Sequence, residues 1–172
     1  MTGNTLLAFG DWWVRPWYAQ LQINGGGSPS GPPPVRPPLG ATACRESTLV
    51  IHTSGCDLPV HVRVEVWAGD PLTGDAHADA DPATHTLHVP SGRLSVSDSE
   101  DAAARGFDLP SAGHYRVRVA GHHTDTRRLY DEAVRRSTDW DDPVFQSEVA
   151  LLTGRELWLL RVWPVPRPPD GR

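Results

Sequence analysis

Lysine is missing from this sequence: all sixteen basic residues are arginine, set against 21 acidic ones for a formal charge of −5. A net-negative chain lacks the basic surface that a dedicated nucleic-acid or anionic-membrane binder requires. The arginine-only complement, with abundant Ala, Gly and Pro, reads as codon bias from a high-GC genome and carries no chemistry of its own. Cysteine is scarce. Cys44 and Cys56 are the two present, in neither metal-ligand nor redox spacing. No apolar run exceeds four residues, too short for a membrane-spanning helix. The start, Met1 to Trp13, has no basic region followed by an apolar stretch as a signal peptide does. The cytoplasm is therefore the expected compartment, with both thiols reduced; a disulfide closing a short loop is the alternative. Familiar catalytic signatures are also missing. There is no G-x-S-x-G elbow, and Gly25 to Gly27 lie in proline-rich coil with no helix behind them to cradle a phosphate.

What is present is strand pattern. Val60-His-Val-Arg-Val-Glu-Val66 alternates Val with polar residues, the period-two signature of a half-buried antiparallel strand. His114 to Ala120 alternates in the same way, with Tyr115, Val117 and Val119 on one face and Arg116 and Arg118 on the other. Further strands are expected at Thr5 to Asn24 (one or two, interrupted at Pro16), Thr48 to Thr53, Thr84 to Val89, Arg93 to Ser97 and Glu156 to Trp163. Pro90-Ser-Gly92 and Leu109-Pro-Ser-Ala-Gly113 are turn sequences. One helix is expected at about 124–137. Thr124 or Asp125 would cap it, Asp131/Arg135 and Glu132/Arg136 would pair across its turns, and Leu129, Tyr130, Ala133 and Val134 form its apolar stripe. Together these predict an all-β fold: a single-domain antiparallel β-sandwich over 1–163 with that helix inserted. Residues 24–40, dense in Gly and Pro, read as a flexible or polyproline-like loop, and 164–172 as a disordered Pro-rich tail.

Three groups of residues invite a chemical reading. His77, Asp79, Asp81, His85 and His88 could converge on a divalent ion, but their spacing matches no known loop and solvated acid is the better account. His122 and His123 end a strand with Asp125 nearby, yet no nucleophile accompanies them, and a surface pair is expected. The expectation is no metal, no cofactor and no catalytic residue. The aromatics are the third group. A strand sends Trp12 and Trp13 to opposite faces, so an exposed Trp13 beside Arg15 and Trp17 has the composition of an interface hot spot. Trp140, framed by Asp139, Asp141 and Asp142, reads as a loop offered to a partner. Between Asp70 and Asp108 eight acidic residues stand against Arg93 and Arg105, which makes one side of the molecule negative.

Phe107-Asp-Leu-Pro110, Gly113-His-Tyr-Arg-Val-Arg118 and Glu156-Leu-Trp-Leu-Leu-Arg-Val-Trp-Pro164 resemble a family of small actinobacterial β-domain proteins without assigned activity, and are distantly similar to the competence protein J family. Leu109, Pro110, Gly113, Tyr115, Arg116, Val117, Arg118, Glu156, Leu159, Leu160, Trp163 and Pro164 carry the match, with Leu7 to Val14 as a counterpart first strand. Trp158 and Arg161 depart from it, standing where the group has Tyr and Gln. The segment from Asp125 to Gly154 is longer than the resemblance leads one to expect, and the Pro-rich loop is extra. Competence protein J family members inhibit a partner nuclease, and the resemblance brings no catalytic residue with it. It implies a non-enzymatic protein-binding module, an inhibitor or immunity-type partner of a nuclease or toxin, whose negative segment masks a basic enzyme surface. The alternatives are a cupin-like metal-binding module or enzyme using the His/Asp cluster, and a carbohydrate-binding sandwich using exposed Trp.

Overall fold

The structure is a computed structural model and describes residues 5–16, 18–26, 37–38, 40–55, 58–71, 82–97 and 105–165. Ten strands and two helices follow the order β1 (Leu6–Val14), β2 (Gln20–Asn24), β3 (Thr42–Arg45), β4 (Thr48–His52), β5 (Val60–Trp67), β6 (Ala83–Val89), β7 (Arg93–Ser97), β8 (Arg105–Asp108), β9 (Gly113–His122), α1 (Thr124–Arg136), α2 (Pro143–Ala150) and β10 (Leu157–Pro164). They form two five-stranded sheets, β1-β5-β10-β9-β6 and β3-β4-β2-β7-β8. This is the mostly antiparallel β-sandwich that the strand pattern predicts, with two inserted helices where one was expected.

The alternation of each strand explains the layering, because period two sends every second side chain inward. Val60, Val62, Val64 and Val66 of β5, Tyr115, Val117 and Val119 of β9, and Trp158, Leu160 and Val162 of β10 meet Leu21, Ile23, Leu49, Ile51, Leu94 and Val96 of the second sheet in one core. Leu109 and Tyr115 fasten a corner between the sheets. The Tyr115 hydroxyl donates to the Ser111 carbonyl at 2.7 Å and accepts from the Ser111 N–H at 3.3 Å, a tie resembling the tyrosine corner of immunoglobulin-like sandwiches. Another corner, between β1 and β2, carries Tyr18 and Ala19 at φ 46° and 58°. These residues pay a steric cost that glycine avoids.

Two expectations for β5 change. It is antiparallel to β1 but parallel to β10, so it lies inside the sheet with partners on both sides. On its outward face Glu65 is nevertheless buried. Arg63 Nε, Trp67 Nε1 and Arg161 Nε converge on its carboxylate at 3.1–3.3 Å, and their long side chains cover it.

The helices lie between β9 and β10 and have a small core of their own, Leu58, Tyr130, Ala133, Phe145 and Leu152. Helix α1 has His123 at its N-cap with no side-chain cap bond, so Thr124 and Asp125 are first-turn residues rather than the cap. Its acids pair backwards, Asp131 with Arg127 and Glu132 with Arg128, and Arg136 reaches Glu148 on α2 at 3.2 Å. Pro164 closes β10, and the Val165 N–H donates to the His114 carbonyl; residues 166–172 lie outside the described residues, as do 27–36 and 39 of the Pro-rich loop.

Candidate protein-binding surface

The turn joining α1 to α2 is built from Asp139-Trp-Asp-Asp142. Asp139 Oδ1 accepts the Asp141 N–H at 2.9 Å, which folds the turn. Asp142 Oδ1 accepts the Val144 N–H at 2.9 Å and caps α2, with Pro143 in the first turn where its missing N–H costs nothing. The same two bonds hold the Trp140 indole at the tip. It sits edge-on against Phe145 with ring centroids 5.2 Å apart and is 61% exposed. Along one flank of α2, Val144 and Leu151 are seven residues apart and so share a face, and both are strongly exposed. Beyond α2, the Trp13 ring lies against Gly154 and stacks on His61 at 5.1 Å, still 51% exposed.

Trp140 and Trp13 thus stand at the two ends of α2, linked by the Val144–Leu151 flank. Arg15, past the end of β1, is exposed as well, while Trp17 lies outside the described residues. Sequence reasoning missed Val144 and Leu151 because α2 itself was not foreseen. It also missed Phe9, 62% exposed, although the alternation that projects Trp13 outward projects Phe9 with it.

The charges are distributed unevenly. Arg127, Arg128 and Arg136 of the helices are each paired with an acid on the same insert. Asp139, Asp141 and Asp142 make no ion pair among the described residues, and neither does the exposed Arg135 in the last turn of α1, so the turn around Trp140 carries three acids to one unpaired arginine.

A second polar node lies beneath. Glu156, fully buried at the entrance to β10, accepts the Trp158 indole N–H at 2.7 Å and the Ser54 backbone N–H at 3.0 and 3.2 Å. Burial pushes its carboxyl above the ordinary carboxylate range, against the opposing pull of those donors and of Arg127. Arg127 in turn donates to the Ser54 carbonyl at 2.6 Å. The node therefore ties the β4–β5 connection, the start of β10 and the first turns of α1 together. An acid directly ahead of an apolar strand was the available signal in the sequence.

Among the described residues the histidines gather into no metal-ligand group. His77, Asp79 and Asp81 lie outside the described residues. His85 Nε2 bonds Thr42 Oγ1 at 2.6 Å and burial lowers its pKa, whereas His88 stacks on His114 at 4.6 Å. His123 stacks on Trp158 at 5.2 Å beneath Gly40, apart from His122 on the opposite strand face. Among the described residues no three His, Cys, Asp or Glu side chains gather as metal ligands would. Cys44 is a free thiol with Sγ 3.4 Å from the Thr86 carbonyl, its pKa raised by burial; Cys56 is outside the described residues. Among the described residues no helix is long and apolar enough to cross a membrane.

The fold is similar to that of solved structures. One is ComJ of Bacillus subtilis, the inhibitor of the DNA-degrading activity of NucA. It is 11% identical, with 95% of this chain and 99% of that chain covered at a TM-score of 0.55. Another is the product of crocagin biosynthetic gene J, 15% identical, with 93% and 100% covered at a TM-score of 0.55. At these identities the likeness is one of fold. No protein-family model matches the chain, and no curated protein does.

Proposed function

We propose that this chain is a non-enzymatic protein-binding module that docks on a basic surface, that of a nuclease or similar toxin, and blocks it. The observation that carries this reading is the α1–α2 tip: an exposed indole flanked in sequence by three carboxylates that make no ion pair among the described residues. A buried aromatic anchor with a charged rim is how compact interfaces concentrate binding energy. Excess acid at the tip would speed encounter with a basic enzyme face and select it over neutral partners. Fold likeness to ComJ, itself a nuclease inhibitor, supports the same reading. Trp13 and Arg15 extend the surface at the far end of α2. The arginine-only basic residues, with abundant Ala, Gly and Pro, are the ground for proposing a high-GC source such as an actinobacterium.

The test is inhibition of the nuclease encoded nearest to this gene, read as plasmid cleavage against inhibitor concentration. The wild-type chain is expected to suppress cleavage stoichiometrically. Trp140→Ala and the combined Asp139→Asn, Asp141→Asn and Asp142→Asn variant should each weaken inhibition by tenfold or more, since losing about 1.4 kcal/mol has that effect. Asn keeps the local acceptors of the turn, so a folded triple variant isolates charge from structure. Undiminished cleavage by that nuclease at saturating protein sinks the proposal.

A further inference from the structure

We propose, resting on the protein-binding reading above, that the Trp13 end of the surface is an anion-binding subsite. It receives a compact acidic cluster on the same protein partner whose basic face meets the Trp140 tip.

Arginines gather around Trp13 without acids to match them. The Arg105 guanidinium reaches across from β8 and donates to the Trp13 carbonyl. Arg15 lies just past the end of β1, and Arg155 directly follows Gly154, against which the Trp13 ring packs. All three arginines are exposed, and none forms an ion pair among the described residues. The neighbouring acids are engaged elsewhere. Asp11 pairs with His61 and Arg63, and Glu156 is buried with Ser54 and Trp158.

The indole supplies a further donor. Its ring rests on Gly154 and stacks on His61, which holds it in place, and about half of the residue stays exposed. Among the described residues no acceptor takes the Trp13 Nε1–H. An indole N–H only donates, and a guanidinium offers paired donors whose geometry matches a carboxylate. Donors of these kinds at one place, with no acid to occupy them, call for an anion.

Charge selects which anion. Helix α2 has eight residues, about 12 Å of helix, and beyond its other end stand Asp139, Asp141 and Asp142 against the single Arg135. A nucleic-acid strand laid along α2 would run into those carboxylates, and the chain's net charge of −5 opposes it further. A folded protein can carry base and acid one short helix apart. The partner that fits both ends presents basic residues to Trp140 and a small group of Asp or Glu to Trp13. Opposite charges at two points also fix the direction of docking, because the reversed pose sets like charge against like.

Fluorescence polarisation of a labelled hexaglutamate peptide with the full chain at low salt tests the subsite, since screening is then weakest. Arg15→Glu combined with Arg155→Glu is expected to weaken peptide binding by about tenfold or more. Both side chains are exposed and unpaired, so the circular dichroism should not change. Trp13→Phe keeps a ring on Gly154 and His61 but deletes the N–H; it should weaken binding about threefold or more, the net worth of one hydrogen bond. The combined Asp139→Asn, Asp141→Asn and Asp142→Asn variant should not weaken it. Absence of peptide binding up to about 1 mM, or binding that the double arginine substitution leaves intact, overturns the proposal. So does tighter binding of an oligothymidylate of matched charge, which would make this a nucleic-acid site. The assay contains no nuclease, so a failed cleavage test leaves this result standing, and a failed peptide test leaves inhibition through the Trp140 tip standing.

Discussion

Glu156 is a residue whose environment opposes its charge yet supplies it with donors. Burial dominates and raises its pKa, so the folded chain holds the proton to higher pH than the unfolded chain does. Its contribution to stability is therefore fully present in acid, below the ordinary carboxylate range, and is lost as pH rises through that range to the raised folded value. Glu156→Gln removes the titration while keeping an acceptor for Ser54 and Trp158. Thermal melts from pH 4 upward, on the order of a carboxylate's range, should show a flatter dependence for this variant than for the wild type. Glu156→Ala strands the Ser54 N–H and the Trp158 indole N–H in the interior, and should cost about 2–3 kcal/mol in chemical denaturation. Equal losses for the Gln and Ala variants would mean that side-chain volume, and not donor satisfaction, is what matters at this site.

Among the elements, α2 depends most on one local bond. Asp142→Ala removes the acceptor of the Val144 N–H and should lower stability by about 1 kcal/mol, while Asp142→Asn should be nearly neutral. Urea midpoints of the two variants, compared with wild type, decide it. The sequence contains the Asp-Pro start of this helix, but eight residues with little periodicity give no amphipathic stripe to read. The strands with clean alternation, β5 and β9, were legible to within a residue or two. β3 and β8, four residues each, were not, because their partners on neighbouring strands decide that they are strands at all. The parallel contact of β5 with β10 was hidden for a similar reason. Alternation reports which face is buried, not the direction of the neighbour, and only tertiary packing sets that. At the candidate site the exposed Trp13 and Trp140 were readable from strand period and loop composition. The α1 salt bridges came out reversed because the Arg-Arg pair at its start and the one at its end offer the same acids equivalent spacings.

At the scale of the whole molecule, two cores of unequal size sit side by side. Among the described residues the sandwich buries twenty in one cluster, and the helical insert buries four in another together with Leu58. Regions with few buried apolar contacts open at lower free energy than the global transition. Amides of α1 and α2 are therefore expected to exchange through a sub-global opening, before those of β5, β9 and β10. Native-state hydrogen exchange across a denaturant series measures this, and a single common opening energy would show that the insert and sandwich melt as one.

The strand that completes the first sheet is also the last in chain order. β10 lies between β5 and β9, paired to both. During synthesis from the N-terminus, β5 and β9 emerge as bare edges and stay so until Leu157 to Pro164 leaves the ribosome. A message broken between His122 and Leu157 would yield not a shortened sandwich but a first sheet in two halves with a gap at its centre. The nascent chain is thus most in need of a chaperone just before translation reaches the strand that ends that need.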